Sequence, residues 1–109
     1  MNRGEVWTQS GGPGYTGKPR PAVIVQTDLI ADTGSVITCG ITTYRNPALR
    51  SRPPIEPDAT NGLRERSEVM IDKISAVARE KLGSCLGSLS VDDMARVDDA
   101  LLLMLGLEL

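Results

Sequence analysis

The stretch "YTGKPRPAVIVQTD", residues 15–28, decides how this chain reads. Its second half, "AVIVQ" (22–26), is an unbroken apolar run rich in β-branched residues, the pattern of a central strand covered on both faces. Its first half carries Lys18 and Arg20, with Pro19 and Pro21 on either side of the arginine. Each proline fixes its own φ and pushes the residue before it towards extended backbone. A guanidinium with little backbone freedom therefore stands at the root of a buried strand, in a chain that has no histidine.

Upstream, "GEVWT" (4–8) reads as a short strand, with Val6 and Thr8 alternating with Glu5 and Trp7. "QSGGPGYTGKPRP" (9–21) has the glycine and proline content of a loop, and loops of that length in small domains are often functional. Downstream, "TDLIADTG" is a connector and "SVITCGITT" (35–43) the next strand. The segment "YRNPALRSRPPIEPDATNGL" has four prolines and can offer only short or edge strands and turns. "SEVMID" (67–72), "ISAVA" (74–78) and "SCLGSL" (84–89) are further strand candidates. The expected fold class is mainly β: a small, strongly bent antiparallel sheet or barrel.

After Ser90 the period changes. Ser90 is a good N-cap, Asp92 and Asp93 suit a first helical turn, and Met94, Val97, Leu101 and Met104 recur at the spacing of one helix face. "LLLMLGL" (101–107) is apolar nearly all round, more than one small barrel can cover, so a second copy or another partner is expected to cover it.

Composition bounds the function. The 109 residues are 40% hydrophobic and 24% charged, enough for a single domain, 1–109, with one modest core. With no phenylalanine, each aromatic matters, and Trp7 is expected to pack in the barrel or its seam. No stretch approaches the roughly 18 apolar residues of a membrane span, and "MNRGEVW" lacks the apolar segment of a signal peptide. A cytoplasmic protein is expected, without membrane association. Cys39 and Cys85 belong to no CxxC pair and are expected as reduced, buried small hydrophobes.

Lacking histidine, the chain can hold no His-based triad, no His-pair ribonuclease site and few kinds of zinc site; no GxGxxG, P-loop, HExxH or GxSxG is present either. No metal or cofactor is expected, and any catalysis falls to Arg, Lys, Asp, Glu, Ser, Thr, Tyr or Cys. The net charge of −2 is unevenly spread. Residues 1–55 hold six basic side chains against three acids, and 91–109 hold Arg96 against five acids. A basic N-terminal half suits a short polyanion bound at one place, though a solvated mixed surface would look the same by charge alone.

"RGEVW", a glycine-rich gap, "KPRPAVIVQTD", "VITCGITT", "SEVMIDKISAV" and a helix after "LGSLS" together resemble the MazF/PemK family of toxin endoribonucleases across nearly the whole chain. The resemblance implies an SH3-like barrel with a C-terminal helix, of the MazF/CcdB type. It also implies a homodimer that cleaves single-stranded RNA without a metal, held inactive by a MazE-like antitoxin whose tail blocks the RNA groove, with operator DNA bound only indirectly through that antitoxin. Carried over by position, the family's arginine before the proline falls on Arg20, its threonine at the end of the third strand on Thr42 or the adjacent Thr43, and an acid used by some members on Asp72. After that acid the family commonly has an Arg-Thr pair; here Ser75 and Ala76 follow, so that arginine's contact is absent or supplied by Arg79. A gyrase-poisoning toxin of the CcdB type and a catalytically inactive RNA-binding relative are the alternatives. The chain's "GLEL" ending, with no aromatic, weighs against the first.

The chemistry agrees with these positions. Cleavage through RNA's own 2′-hydroxyl needs that proton removed, the charge on five-coordinate phosphorus stabilised and the leaving 5′-oxygen protonated. A guanidinium matches two phosphate oxygens, which suits Arg20 to the second task; since arginine hardly ever deprotonates, the base role suits it poorly. Thr42 can donate to a phosphate oxygen and Asp72 can accept the 2′-proton. RNA contacts are expected from Tyr15, Lys18, Thr43, Tyr44, Arg45, Arg50 and Arg52, because 41–52 contains no acid and single strands need both charge and stacking rings.

Overall fold

The computed structural model of the chain describes residues 1–10, 18–49 and 51–107; the expected contacts of Tyr15 and Arg50 lie outside them. Among the described residues seven strands, β1 (Glu5–Gln9), β2 (Arg20–Ile24), β3 (Ser35–Thr42), β4 (Pro54–Ile55), β5 (Ser67–Val69), β6 (Ser75–Ala78) and β7 (Leu82–Ser88), precede one α-helix, α1 (Val91–Leu105). The strand order is β4-β5-β3-β2-β1-β7, and β6 also pairs with β3. All pairings are antiparallel. The mainly β expectation holds, as a curled half-barrel with a C-terminal helix.

The curl comes from two strands. Strand β3 gives its first half, Ser35–Thr38, to β6 and its second half, Ile41 and Thr42, to β5, so the sheet turns along its length. Strand β1 is out of step with β7 on both sides of Trp7, and irregularities of this kind increase local twist. At the second shift Thr8 Oγ1 accepts a hydrogen bond from the Ser84 amide at 2.9 Å.

Strand alternation sorts side chains into two faces. Val6 pairs with Val23, Val23 with Cys39, and Ile41 with Val69. These residues, with Val25, Ile55 and Ile71, form the main core under Val97 and Leu101 of α1. Each of those two helix residues contributes about 1.5–3 kcal/mol by leaving water. On the opposite face Ile24, Val36 and Leu82 make a second cluster backed by Trp7, which occupies the sheet as expected. Burial on both sides is why 22–26 carries no polar alternation.

Helix α1 starts where the sequence predicts: Ser90 Oγ accepts from the Asp93 amide at 3.1 Å. It ends at Gly106, whose φ of 69° is left-handed, with the Leu107 amide donating to Leu102 O at 2.9 Å. Val97 and Leu101 are buried and Met94 packs on the core, but Met104 is 41% exposed, Leu103 78%, Leu105 52% and Leu107 58%. The apolar excess read from the sequence is thus uncovered in the single chain.

Three details depart from the sequence reading. The strand expected over 67–72 stops at Val69, and Ile71–Lys73 form a single 3-10 turn that drops Ile71 into the core. Cys39 is buried, but Cys85 is exposed, because β7 is an edge strand with little covering it. Arg79, offered by the sequence as a substitute contact, donates to Thr33 O at 2.7 Å and Ala31 O at 2.9 Å, so its guanidinium ties down the β2–β3 connection.

Candidate functional site

Strand pairing explains the site better than sequence proximity does. Gln9 pairs with Arg20 across β1 and β2, and Ala22 pairs with Gly40 across β2 and β3. Continuing that register by two residues brings Arg20 opposite Thr42, which itself pairs with Glu68 of β5. Directly paired residues share a face. Arg20 and Thr42 therefore belong to the face opposite α1, at the end where β2 begins and β3 finishes.

There they line one cleft of about 240 Å³, together with Pro21, Ile41, Thr43, Ser67 and Met70. Arg20 is exposed, and among the described residues its guanidinium has no carboxylate partner. Thr42 is half-buried and its Oγ1 accepts from the Tyr44 amide at 3.1 Å. That bond leaves the hydroxyl proton available to donate outward. Ser67, by contrast, donates its hydroxyl to Glu65 O at 2.9 Å. Among the described residues, a guanidinium without a carboxylate partner and an oriented hydroxyl at the mouth of a cleft form an arrangement whose donors suit an anion.

Arg52 and Asp72 form a second, different arrangement. Arg52 Nε donates to Asp72 Oδ1 at 2.9 Å and Nη2 to Oδ2 at 3.1 Å, a two-pronged fork. The Arg52 side chain is only 6% exposed and that of Asp72 23%. The fork holds the Asp72 carboxyl below its ordinary pKa, against the opposing pull of desolvation, and raises that of Arg52. Cys39, buried nearby, is pushed up to about 12 by desolvation and, secondarily, by the Asp72 charge. Arg52, expected among the RNA contacts, has its guanidinium engaged inside the protein.

The remaining expected contacts within the described residues are outward-facing. Lys18, Thr43, Tyr44 and Arg45 are exposed around the cleft end of β2 and β3, with Tyr44 at 68%. Missed by sequence reading were Met70 and Ser67 in the cleft and Glu68 beside Thr42. Only the long-range pairing of β5 with β3 brings them there, and nothing local in "RSEVM" announces it. Among the described residues no three His, Cys, Asp or Glu side chains gather as a metal site would need, and no helix is long and apolar enough to cross a membrane.

Comparison with known proteins follows the same lines. A family model described as PemK-like, MazF-like toxin of type II toxin–antitoxin system matches residues 2–105. A relative from Mycolicibacterium smegmatis, a probable endoribonuclease MazF, is 42% identical over 107 residues, covering 98% of each chain. Among solved structures, a mycobacterial endoribonuclease in complex with its cognate antitoxin superposes with a TM-score of 0.82 at 25% identity, covering 100% of this chain and 98% of that one. The Mycobacterium tuberculosis toxin MazF-mt6 shares the fold with a TM-score of 0.80 at 22% identity, covering 96% of this chain and 99% of that one. These likenesses favour the toxin endoribonuclease over the gyrase-poisoning alternative. A half-barrel with a terminal helix, a proline-locked arginine facing a strand-end threonine, and a match along nearly its full length mean that the chain belongs to the PemK-like, MazF-like toxin family of type II toxin–antitoxin systems.

Proposed function

We propose that in this MazF-like toxin endoribonuclease Arg20 and Thr42 hold the scissile phosphate of single-stranded RNA, and that cleavage is sequence-selective and uses the RNA's own 2′-hydroxyl. The supporting observation is the shared cleft, in which a guanidinium with no carboxylate partner among the described residues and an oriented hydroxyl converge from neighbouring strands. The 2′-oxygen attacks phosphorus, the bond to the 5′-oxygen breaks, and the products are a 2′,3′-cyclic phosphate and a 5′-hydroxyl. Arg20 stabilises the extra negative charge in transit and Thr42 donates to one phosphate oxygen. Asp72, which does not line the cleft and is forked onto Arg52, is the acceptor that the family resemblance assigns to the 2′-proton, and the 5′-oxygen takes its proton from water.

Arg52 occupies one lone-pair site on each Asp72 oxygen, and a carboxylate has about four in all, so acceptor capacity remains. The lowered pKa keeps Asp72 ionised but makes it a weak base. Its share of the rate is accordingly smaller than that of Arg20. Lys18, Thr43, Tyr44 and Arg45 extend the contact to flanking nucleotides, together with Tyr15 and Arg50. The role of Arg52 in RNA binding is indirect, through Asp72.

The working unit in this reading is a cytoplasmic homodimer. Leu103, Leu105 and Leu107 are exposed, and an apolar groove of about 400 Å³ lined by Val25, Ile30, Ile37, Ile74, Leu101 and Leu105 lies alongside. A MazE-like antitoxin silences the toxin by covering the RNA groove and carries it to operator DNA. The target is single-stranded cellular RNA, whether messenger, transfer or ribosomal, and its cleavage stops translation and growth.

The test is direct. Purified protein with single-stranded RNA in excess EDTA should generate 5′-hydroxyl fragments, and Arg20→Ala should leave the RNA intact while keeping the circular dichroism spectrum. Uncut RNA with the wild-type protein, or equal cutting by both, would sink the reading; light scattering at a monomer mass would remove the homodimer from it.

A further inference from the structure

The lining of the cleft is part apolar. Beside Arg20, Thr42, Thr43 and Ser67 the lining includes three apolar groups, Pro21, Ile41 and Met70, and of these Met70 is a half-buried, flexible side chain. Its backbone amide donates to Gly40 O at 2.8 Å, which fixes where the side chain starts. Gly40 lies in mid-strand, and its φ is not in the left-handed region that would demand glycine. Space explains it instead: a Cβ at Gly40 would stand 2.7 Å from Met70 Cε and meets nothing else within 4 Å. Glycine within a strand often marks such a close approach. The sheet is therefore hollowed under one methionine, which sits in that hollow at the edge of the phosphate-holding end.

A nucleotide attached to a phosphate at Arg20 must put its base somewhere. With Arg20 and Thr42 engaged by the phosphate, the apolar part of the lining offers a polarisable thioether, a group that contacts aromatic rings favourably and adapts to their shape. We propose that Met70, seated by Gly40, is the wall of a nucleobase subsite beside the scissile phosphate and sets which base is accepted there. This rests on the reading of the cleft as the RNA site.

The experiment uses single-stranded RNA oligonucleotides with a randomised centre, mapped at the 5′ ends of the products, and steady-state kinetics on one sequence that the wild type cuts. Met70→Leu, similar in size and apolar but without the thioether, should keep the same preferred base with a weaker preference. Met70→Ala should relax the preference at one position next to the cut and raise KM about tenfold with kcat little changed, as loss of binding shared by ground and transition states requires. Gly40→Ala should disturb the same position by displacing Met70, and its effect should vanish in Gly40→Ala/Met70→Ala, where the displaced group is gone. A folded Met70→Ala with wild-type KM and map overturns the subsite. Should Met70→Ala not fold, Gly40→Ala decides: an unchanged map overturns it, and a shift confined to one adjacent position supports it. The functional reading fails separately, if wild-type protein leaves the whole pool uncut.

Discussion

Arg20 and Arg52 are the same residue type, each beside prolines in a basic stretch, and the fold gives them opposite circumstances. Arg20 is exposed, with no carboxylate partner among the described residues; Arg52 is buried and forked onto Asp72. A paired guanidinium has its donors satisfied and its charge offset, so it is suited to holding structure. One left open beside a hydroxyl can meet a charge that arrives only with substrate. The difference teaches that basic composition around a site does not separate an arginine held by a resident counter-charge from one left open.

The largest expected effect tests that contrast at Arg20. Replacing it with alanine should lower kcat/KM by about a hundred- to a thousandfold, the usual cost of one well-aimed donor, while the melting temperature shifts by only a degree or two. Arg52→Ala should do the reverse in stability. It leaves a carboxylate without its partner and removes a buried side chain, at about 2–3 kcal/mol once the partial exposure of Asp72 is allowed for. In a chain of this size that is a fall of roughly 10 °C or more in Tm. Arg52→Ala/Asp72→Ala should melt higher than the sum of its singles predicts, because no charge is stranded. Similar melting of Arg20→Ala and Arg52→Ala would erase the comparison.

How much of this contrast was legible beforehand differs between the two sites. Arg20 was marked by local signals: flanking prolines restrict it and the apolar run after it fixes the strand. The same kind of signal gave β2, β3 and the capped start of α1, since β-branched runs and an N-cap serine act over a few residues. The partnership of Arg52 with Asp72 joins positions twenty apart through β5 pairing with both β3 and β4. No pattern within 41–52 carries it, so charge counting placed Arg52 with the RNA contacts. Met70 was hidden for the same reason. The early end of β5 at Val69 was also out of reach, because it depends on Ile71 turning into the core and Asp72 meeting its arginine.

A smaller effect sharpens the picture of the open site. Thr42→Val removes a donor but keeps shape and β-propensity, and the Tyr44 amide loses its acceptor. Activity should drop about tenfold, close to the value of one hydrogen bond to a charged group, with stability changed by about 1 kcal/mol or less. Thr42→Ser should retain most of the rate. If Val and Ser variants cut RNA equally, the hydroxyl is not part of the clamp.

The smallest effect concerns the closed site and follows from the sign of its titration. Asp72 is held below its ordinary pKa by Arg52, so the folded state releases that proton more readily than the unfolded chain does. The resulting stabilisation is complete above the unfolded value of about 3.9 and fades as pH falls through the lower, folded value. Arg52 stays charged throughout this range and contributes no titration of its own. Glu5 and Asp58 are lowered too, by the Asn2 and Thr60 amides respectively, so acid weakens the protein at several places at once. The fork is isolated by comparing wild type with Asp72→Asn. Their Tm gap should be constant from neutral pH to about 5, then narrow below about 4, as protonation brings the wild type to the neutral state the variant already has. A gap that persists unchanged into acid would mean that the Asp72 charge contributes nothing to the fold, and that the burial of Arg52 has some other compensation.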